Sequence, residues 1–112
     1  MTGARSDALR LSDILRSIER LEEVLKAGYE AFARSWMSQS AVVRELEIIG
    51  EAAGEISPAL RKQHSDLKWT RMRGFSSFAK HEHWRVRPEL VWDAVKEMPA
   101  LRDRIRKVIV AP

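Results

Sequence analysis

The sequence contains no cysteine. Disulfide staples and thiolate metal sites are therefore excluded, and burial alone must hold the chain together. A cysteine-free chain also fits a cytoplasmic location. No apolar run approaches the ~20 residues needed to span a bilayer, so no membrane partner is expected. The first ten residues show no apolar segment of the signal-peptide kind, so no secretory leader is expected. The five glycines are scattered and form no phosphate-cradling loop. Neither a Gly-x-Ser-x-Gly elbow nor a His-Glu-x-x-His pair occurs. His81 and His83 are two apart, which points them to different faces of a helix. No carboxylates fall at ligand spacing either, so neither a metal nor a cofactor is expected. No long stretch alternates with period two, and no Asn-Gly or Asp-Gly hairpin signal occurs.

What is present is a 112-residue chain that is 45% hydrophobic and 32% charged. That is the size and balance of one globular domain, residues 1–112. A chain of this length buries roughly two-thirds of its unfolded surface. Its apolar residues follow helical spacing. Leu11, Ile14, Leu15, Ile18, Leu21, Val24 and Leu25 form one stripe, with Ser6 and Asp7 able to cap its start and Gly28 able to stop it. A short helix is predicted over 29–35. Ser38 or Ser40 then opens a second long helix, which ends at Ser57-Pro58 because the residue before proline resists the helical region. Residues 58–64 suit one or two turns. A third helix is predicted from Trp69 to about His81, with Gly74 inside it read as a close-packing site. The last stretch starts at Pro88, and Pro99 must kink or split it. Its stripe of Leu101, Ile105, Val108 and Ile109 reads as core, as do Trp36, Trp69 and Trp92, the last three as core or interface anchors. The predicted fold is all-α, an antiparallel bundle of four or five helices.

Charge is spread unevenly along this bundle. The net formal charge is −3 over residues 1–60, +6 over 61–87 and +1 over 88–112. The middle segment also holds all three histidines and half of the eight aromatic residues. Cations interleaved with aromatics suit a polyanion, because cations meet phosphates and rings stack on bases. A solvated basic face beside an ordinary core would look the same. Metal-free RNA cleavage needs a base for the 2′-OH, an acid for the leaving 5′-oxygen and a cation for the charged phosphorane. Histidine titrates near neutrality and serves the first two; arginine serves the third by bidentate contact. A dimer with a shared cleft would bring two such histidines together.

Several segments carry a resemblance to a known family. They are the run from Ala41 to Ala53 with its Ile48-Ile49-Gly50-Glu51-Ala52 block, and Ser57-Pro58 through His64. Trp69, Met72 and Gly74 follow, then Pro88-Glu89-Leu90-Val91-Trp92 and Pro99-Ala100-Leu101. Over about residues 8–110 the chain resembles the HepT-like branch of the HEPN helical-bundle superfamily. The resemblance implies a HEPN-like bundle and a metal-independent endoribonuclease, the toxin of a bacterial toxin–antitoxin pair. It implies a homodimer whose two motif helices line one RNA cleft. It also implies a small nucleotidyltransferase antitoxin, of the MntA type, that AMPylates a tyrosine.

The motif of that family reads Arg-Asn-x-x-x-His, one variable residue, then Tyr. Placed on this sequence, the histidine is His81, while Ser76, Ser77 and His83 stand at the Arg, Asn and Tyr positions. Serine cannot replace a guanidinium fork at phosphate. Losing one transition-state donor costs roughly 10²–10³ in rate, so Ser76 predicts an impaired nuclease. Arg73 or Arg71 could act as a displaced arginine. Arg73 lies one turn before Ser76, but its rise to position 81 is ~12 Å against ~7.5 Å from position 76. Arg71, Arg73, Lys80 and Arg85 are the candidate RNA contacts. Two readings stay open: a HepT-like ribonuclease using His81, and an inactive HEPN homodimer that binds a nucleotidyltransferase or RNA.

Overall fold

A computed structural model describes residues 3–80 and 87–110. Among these residues there are seven helices and no strand. They are α1 (Gly3–Ala27), α2 (Tyr29–Ala33), α3 (Trp36–Glu55), α4 (Pro58–Gln63), α5 (Trp69–Lys80), α6 (Pro88–Lys96) and α7 (Met98–Val110). The fold is an all-α, HEPN-like bundle. Its long helices carry the predicted stripes. Leu11, Ile14, Ile18 and Leu21 of α1, Val42, Leu46 and Ile49 of α3, and Met72 and Phe75 of α5 are buried together.

Residue pairs between helices show their directions. Ser17 near the middle of α1 donates to Glu45 of α3 at 2.8 Å, while Asp7 near its start meets Ser57 beyond the end of α3. Gly54 of α3 faces Arg73, and the earlier Gly50 faces the later Ser76. Arg102 of α7 reaches Glu22, and Arg106 one turn on reaches Glu19. Each pairing runs backwards along one partner, so α1–α3, α3–α5 and α1–α7 are antiparallel.

Several local expectations are corrected. α1 starts at Gly3, so Asp7 is not a cap for its own helix. It is 7% exposed and accepts hydrogen bonds from the Ser57 backbone N–H at 2.8 Å and the Ser57 hydroxyl at 2.6 Å. Such bonds are what make a buried carboxylate tolerable. Ser57 in turn caps α4, its Oγ accepting from the Leu60 N–H at 3.2 Å. α3 is capped by Ser35 rather than Ser38 or Ser40. The Ser35 Oγ accepts from the Ser38 N–H at 3.1 Å, so the expected opener is the cap's donor. Of the tryptophans read as core or interface anchors, Trp69 is buried, whereas Trp36 is 74% exposed and is no core anchor. Trp92 packs its ring 5.5 Å from that of Tyr29 and 5.3 Å from that of Phe32.

The breaks fall where the sequence places them. Gly28 takes φ +93° and ends α1. Ile56, extended at ψ 137°, ends α3 two residues before Pro58. Pro99 lies in the first turn of α7, where the missing N–H would have had no helical partner. In α7 Ile105 and Val108 are buried, while Ile109 is 44% exposed.

Gly74 is not a close-packing site. A Cβ there would meet nothing within 4 Å. The close approach belongs to Gly50. A Cβ at that position would lie 2.4 Å from the Ser76 backbone nitrogen and 2.6 Å from the Ser76 Cβ. α3 and α5 therefore cross where only glycine fits on the α3 side. The crossing fixes which residues share a surface.

Candidate functional site

The Gly50–Ser76 crossing lies on the helix that leads to His81. On one flank is an open groove of about 480 Å³ whose walls include Glu51, Glu55, Thr70, Arg73, Ser76 and Ser77. On the other is a groove of about 470 Å³ between α1 and α3 that reaches the end of α5; Arg10, Asp13, Glu51, Glu55 and Lys80 line it. Glu51 and Glu55, one turn apart on the exposed edge of α3, border both. A larger cavity, about 670 Å³, lies elsewhere, between α1, α4 and α7. Its walls are mostly apolar, and its one carboxylate, Asp7, is already engaged by Ser57.

The structure separates the candidate residues. Ser76 and Ser77 share the first groove with Arg73. The Ser76 hydroxyl donates to the carbonyl of Arg73 at 3.0 Å, so it is turned onto its own helix. Arg73 is exposed and leans toward α3, its Nε 3.9 Å from where a Gly54 Cβ would sit. Lys80 lies seven residues on, two turns along the same face, and borders the second groove. No carboxylate lies within 4.0 Å of either cation among the described residues.

Arg71 points the other way. Its Nε donates to Glu97 at 3.2 Å, its Nη2 also contacts that carboxylate, and the guanidinium lies 5.1 Å from the centre of the Phe75 ring. The hydrogen bond to Glu97 raises the Arg71 pKa above its ordinary value, with the Glu97 and Asp93 charges adding to it and partial burial opposing it. Arg71 and Arg73 thus occupy different faces of one helix. His81, His83 and Arg85 lie outside the described residues.

Three residues of this surface carry no site role in the sequence reading: Arg10, Glu51 and Glu55. Glu51 stands next to the glycine at the crossing, and Glu55 follows at i+4, a spacing that puts both on one face. Arg10 has no comparable signal, since its neighbours in the groove, apart from Asp13, lie on other helices far away in sequence. Among the described residues no group of three His, Asp or Glu is placed to hold a metal ion. No described helix is long and apolar enough to cross a membrane.

Comparison with known proteins assigns the chain to a family. Residues 14–108 match the family described as "Ribonuclease HepT-like". A protein of Caldanaerobacter subterraneus subsp. tengcongensis, named "Putative RNase", is 32% identical over 101 residues, covering 88% of this chain and 90% of the relative. A Thermococcus cleftensis protein named "Probable ribonuclease HepT" is 33% identical over 106 residues, covering 93% and 96%. A Methanocaldococcus jannaschii "Putative RNase" is 33% identical over 100 residues, covering 88% and 92%. No solved structure matches. The match runs from the middle of α1 through the Gly50–Ser76 crossing to the last turn of α7, and the chain belongs to the HepT-like ribonuclease family of HEPN-type proteins.

Proposed function

We propose that this chain is the ribonuclease toxin of a toxin–antitoxin pair. It acts as a homodimer, in the cytoplasm, with a nucleotidyltransferase antitoxin as its partner. The observation that carries the reading is the family match across residues 14–108, which spans the crossing and the whole of α5.

In this reading a base takes the proton of an RNA 2′-OH and the 2′-oxygen attacks phosphorus. The P–O5′ bond breaks and the leaving oxygen takes a proton, giving a 2′,3′-cyclic phosphate and a 5′-OH end. His81 supplies the acid–base chemistry, and the other subunit supplies a second His81. Arg73, Lys80 and Arg85 hold the RNA backbone, Arg73 with its charge uncompensated by any carboxylate within 4.0 Å among the described residues. The placement of Arg71, tied to Glu97 on the opposite face, gives it a smaller share in that work.

A second reading rests on a specific observation. Ser76 carries no charge, is pressed against Gly50 and spends its hydroxyl on the Arg73 carbonyl. A helix so arranged offers no guanidinium at the motif arginine position. That favours an inactive HEPN homodimer that binds a nucleotidyltransferase or RNA.

One experiment separates the two. Purified wild type and a Ser76→Arg, Ser77→Asn version are incubated with RNA in EDTA. Cleavage by wild type that falls at least ~10²-fold in His81→Ala supports the ribonuclease. Cleavage only by the double variant supports the inactive homodimer. Wild-type cleavage that survives His81→Ala intact would remove His81 from the chemistry.

A further inference from the structure

We propose that the cavity between α1, α4 and α7 is a docking groove for a short amphipathic helix of a partner protein, one that carries acidic side chains beside its apolar stripe. The inference is independent of the ribonuclease reading. It starts from the way α7 runs along α1. Arg102 reaches Glu22 and Arg106 reaches Glu19, so each turn forward on α7 is a turn back on α1. The next turn sets the last residues of α7 against Leu15, and α7 ends at Val110. In that register the two preceding turns of α1 have no described residue of α7 opposite them. The groove opens there. Ala8, Ser12 and Leu15 form one wall, Ala59 and Leu60 of α4 form another, and Ile109 stands at the α7 end.

The groove has the form of a helix seat. Its volume of about 670 Å³ continues the track that α7 occupies farther along α1. From Asp7 to Leu15 the axis of α1 rises ~12 Å, the length of about two helical turns. Ala8, Ser12 and Ala59 are exposed, Ile109 is 44% exposed, and Leu15 and Leu60 are half-buried, so a partner can reach the walls. A helix laid in such a groove supplies apolar anchors at i, i+3 or i+4, and i+7.

Charge decides what flanks those anchors. Arg16 lies one turn beyond Ser12 on the same face of α1, and Lys62 one turn beyond Ala59 on α4. Both are exposed, and no carboxylate lies within 4.0 Å of either among the described residues. The carboxylates of this part of α1 are engaged or turned elsewhere. Asp7 is held by Ser57, Glu19 by Arg106, and Asp13 lines the other groove, toward α3. An apolar seat with unmatched cations at its rim favours a helix with Asp or Glu beside its stripe. A second copy of this chain fits less well, because pairing groove to groove about a two-fold axis sets one basic rim against the other.

The test uses the whole chain. The probe is a phage-displayed library of helical peptides of about 15 residues, long enough to hold a helix over the groove. Selected peptides are expected to share the apolar stripe with Asp or Glu beside it. The tightest is synthesised, and its affinity is measured for wild type, Ala59→Glu, Ile109→Glu and Lys62→Glu, with a melting temperature for each. Ala59→Glu and Ile109→Glu should each weaken binding at least ~10-fold, as for loss of an anchor contact. Should one of them melt early, the other carries the comparison. Lys62→Glu should slow association ~3-fold or more at low salt and far less at high salt. Selection of no peptide, selection of basic peptides, or equal binding to wild type and to the folded variants overturns the proposal. So does self-association of the chain, measured by sedimentation, that Ile109→Glu abolishes, since the groove would then seat a second copy.

Discussion

The two faces of α5 handle the same residue type in opposite ways. On the face toward α6 and α7, Arg71 is clamped by Glu97 and lies beside the Phe75 ring, so its charge serves the bundle. On the face toward the α3 edge, Arg73 and Lys80 meet no carboxylate within 4.0 Å among the described residues, although Glu51 and Glu55 border their grooves. Arg71 and Arg73 are two positions apart, and a helix turns ~200° over that distance. A basic run in a sequence is therefore not a basic patch in space. Which cation is free to meet an anion depends on what the opposite helices offer.

The comparison breaks most severely at the crossing that sets those faces. Gly50→Ala places a methyl group 2.4 Å from the Ser76 backbone nitrogen, and backbone cannot swing aside as a flexible side chain can. α3 and α5 must separate, at a cost of ~2–4 kcal/mol, in the upper range of overpacking. Gly74→Ala, on the same helix as Ser76, meets nothing within 4 Å and should stabilise by ~0.5–1 kcal/mol through helix propensity. Denaturant unfolding of the two variants checks the pair. Equal midpoints would mean that the crossing is not as close as described.

The next effect in size lies at Asp7. Asp7→Ala leaves the Ser57 N–H without its acceptor and α4 without its tie to α1. A loss of ~1–3 kcal/mol is expected, as for a buried hydrogen-bonding group deprived of its partner. Hydrogen exchange should show the extra opening at α4 first. A variant as stable as wild type would mean that the two bonds contribute nothing net.

These two sites also show how far the sequence could be read. The stripe from Leu11 to Leu21, the stop at Gly28, the break before Pro58 and the split at Pro99 are local signals. They act within one or two turns, and the helices follow them. Asp7 reads locally as a cap because its partner is fifty residues away. Three serines, Ser35, Ser38 and Ser40, compete to open α3, and only the geometry shows Ser38 giving its N–H to Ser35. Gly50 and Gly74 look alike in sequence, since a helix crossing is a property of two helices. The candidate site divides the same way. Ser76 and Ser77 could be found by counting along a motif, and they line a groove together with Arg73. The place of Arg10 in the neighbouring groove could not be found so, because Glu51, Glu55 and Lys80 beside it lie on other helices. Glu51 had a signal in the Gly50 beside it, since a glycine inside a well-formed helix often marks where another chain segment comes close.

A smaller effect sharpens the contrast between the arginines directly. Arg73→Ala should weaken RNA binding by roughly tenfold at low salt and reduce the salt-dependence slope by about one. Arg71→Ala should change affinity less than about twofold, because Glu97 already neutralises that guanidinium. Fluorescence anisotropy over a salt series measures both. Equal losses would show that RNA displaces Glu97 and that the two faces are not distinct in solution.

The smallest effect concerns the Arg71–Glu97 pair itself. Arg71 and Glu97 are about half exposed, with side-chain exposures of 51% and 41%, so water and salt screen their attraction. A double-mutant cycle over Arg71→Ala and Glu97→Ala should give a coupling of ~0.2–1 kcal/mol, smaller at high salt. The hydrogen bond to Glu97 raises the Arg71 pKa in the folded state. The stability that Arg71 contributes is therefore fully present below its unfolded pKa and fades only as pH rises through the higher folded value. Both lie far above neutrality, so the Arg71 contribution should stay flat between about pH 6 and 9. A coupling well above that range would mean that the pair is a structural clamp, stiffening the α5–α6 side against which the Gly50 crossing closes. A coupling within it leaves Arg71 a screened surface charge, and the difference between the two faces of α5 is then one of availability to anions rather than of stability.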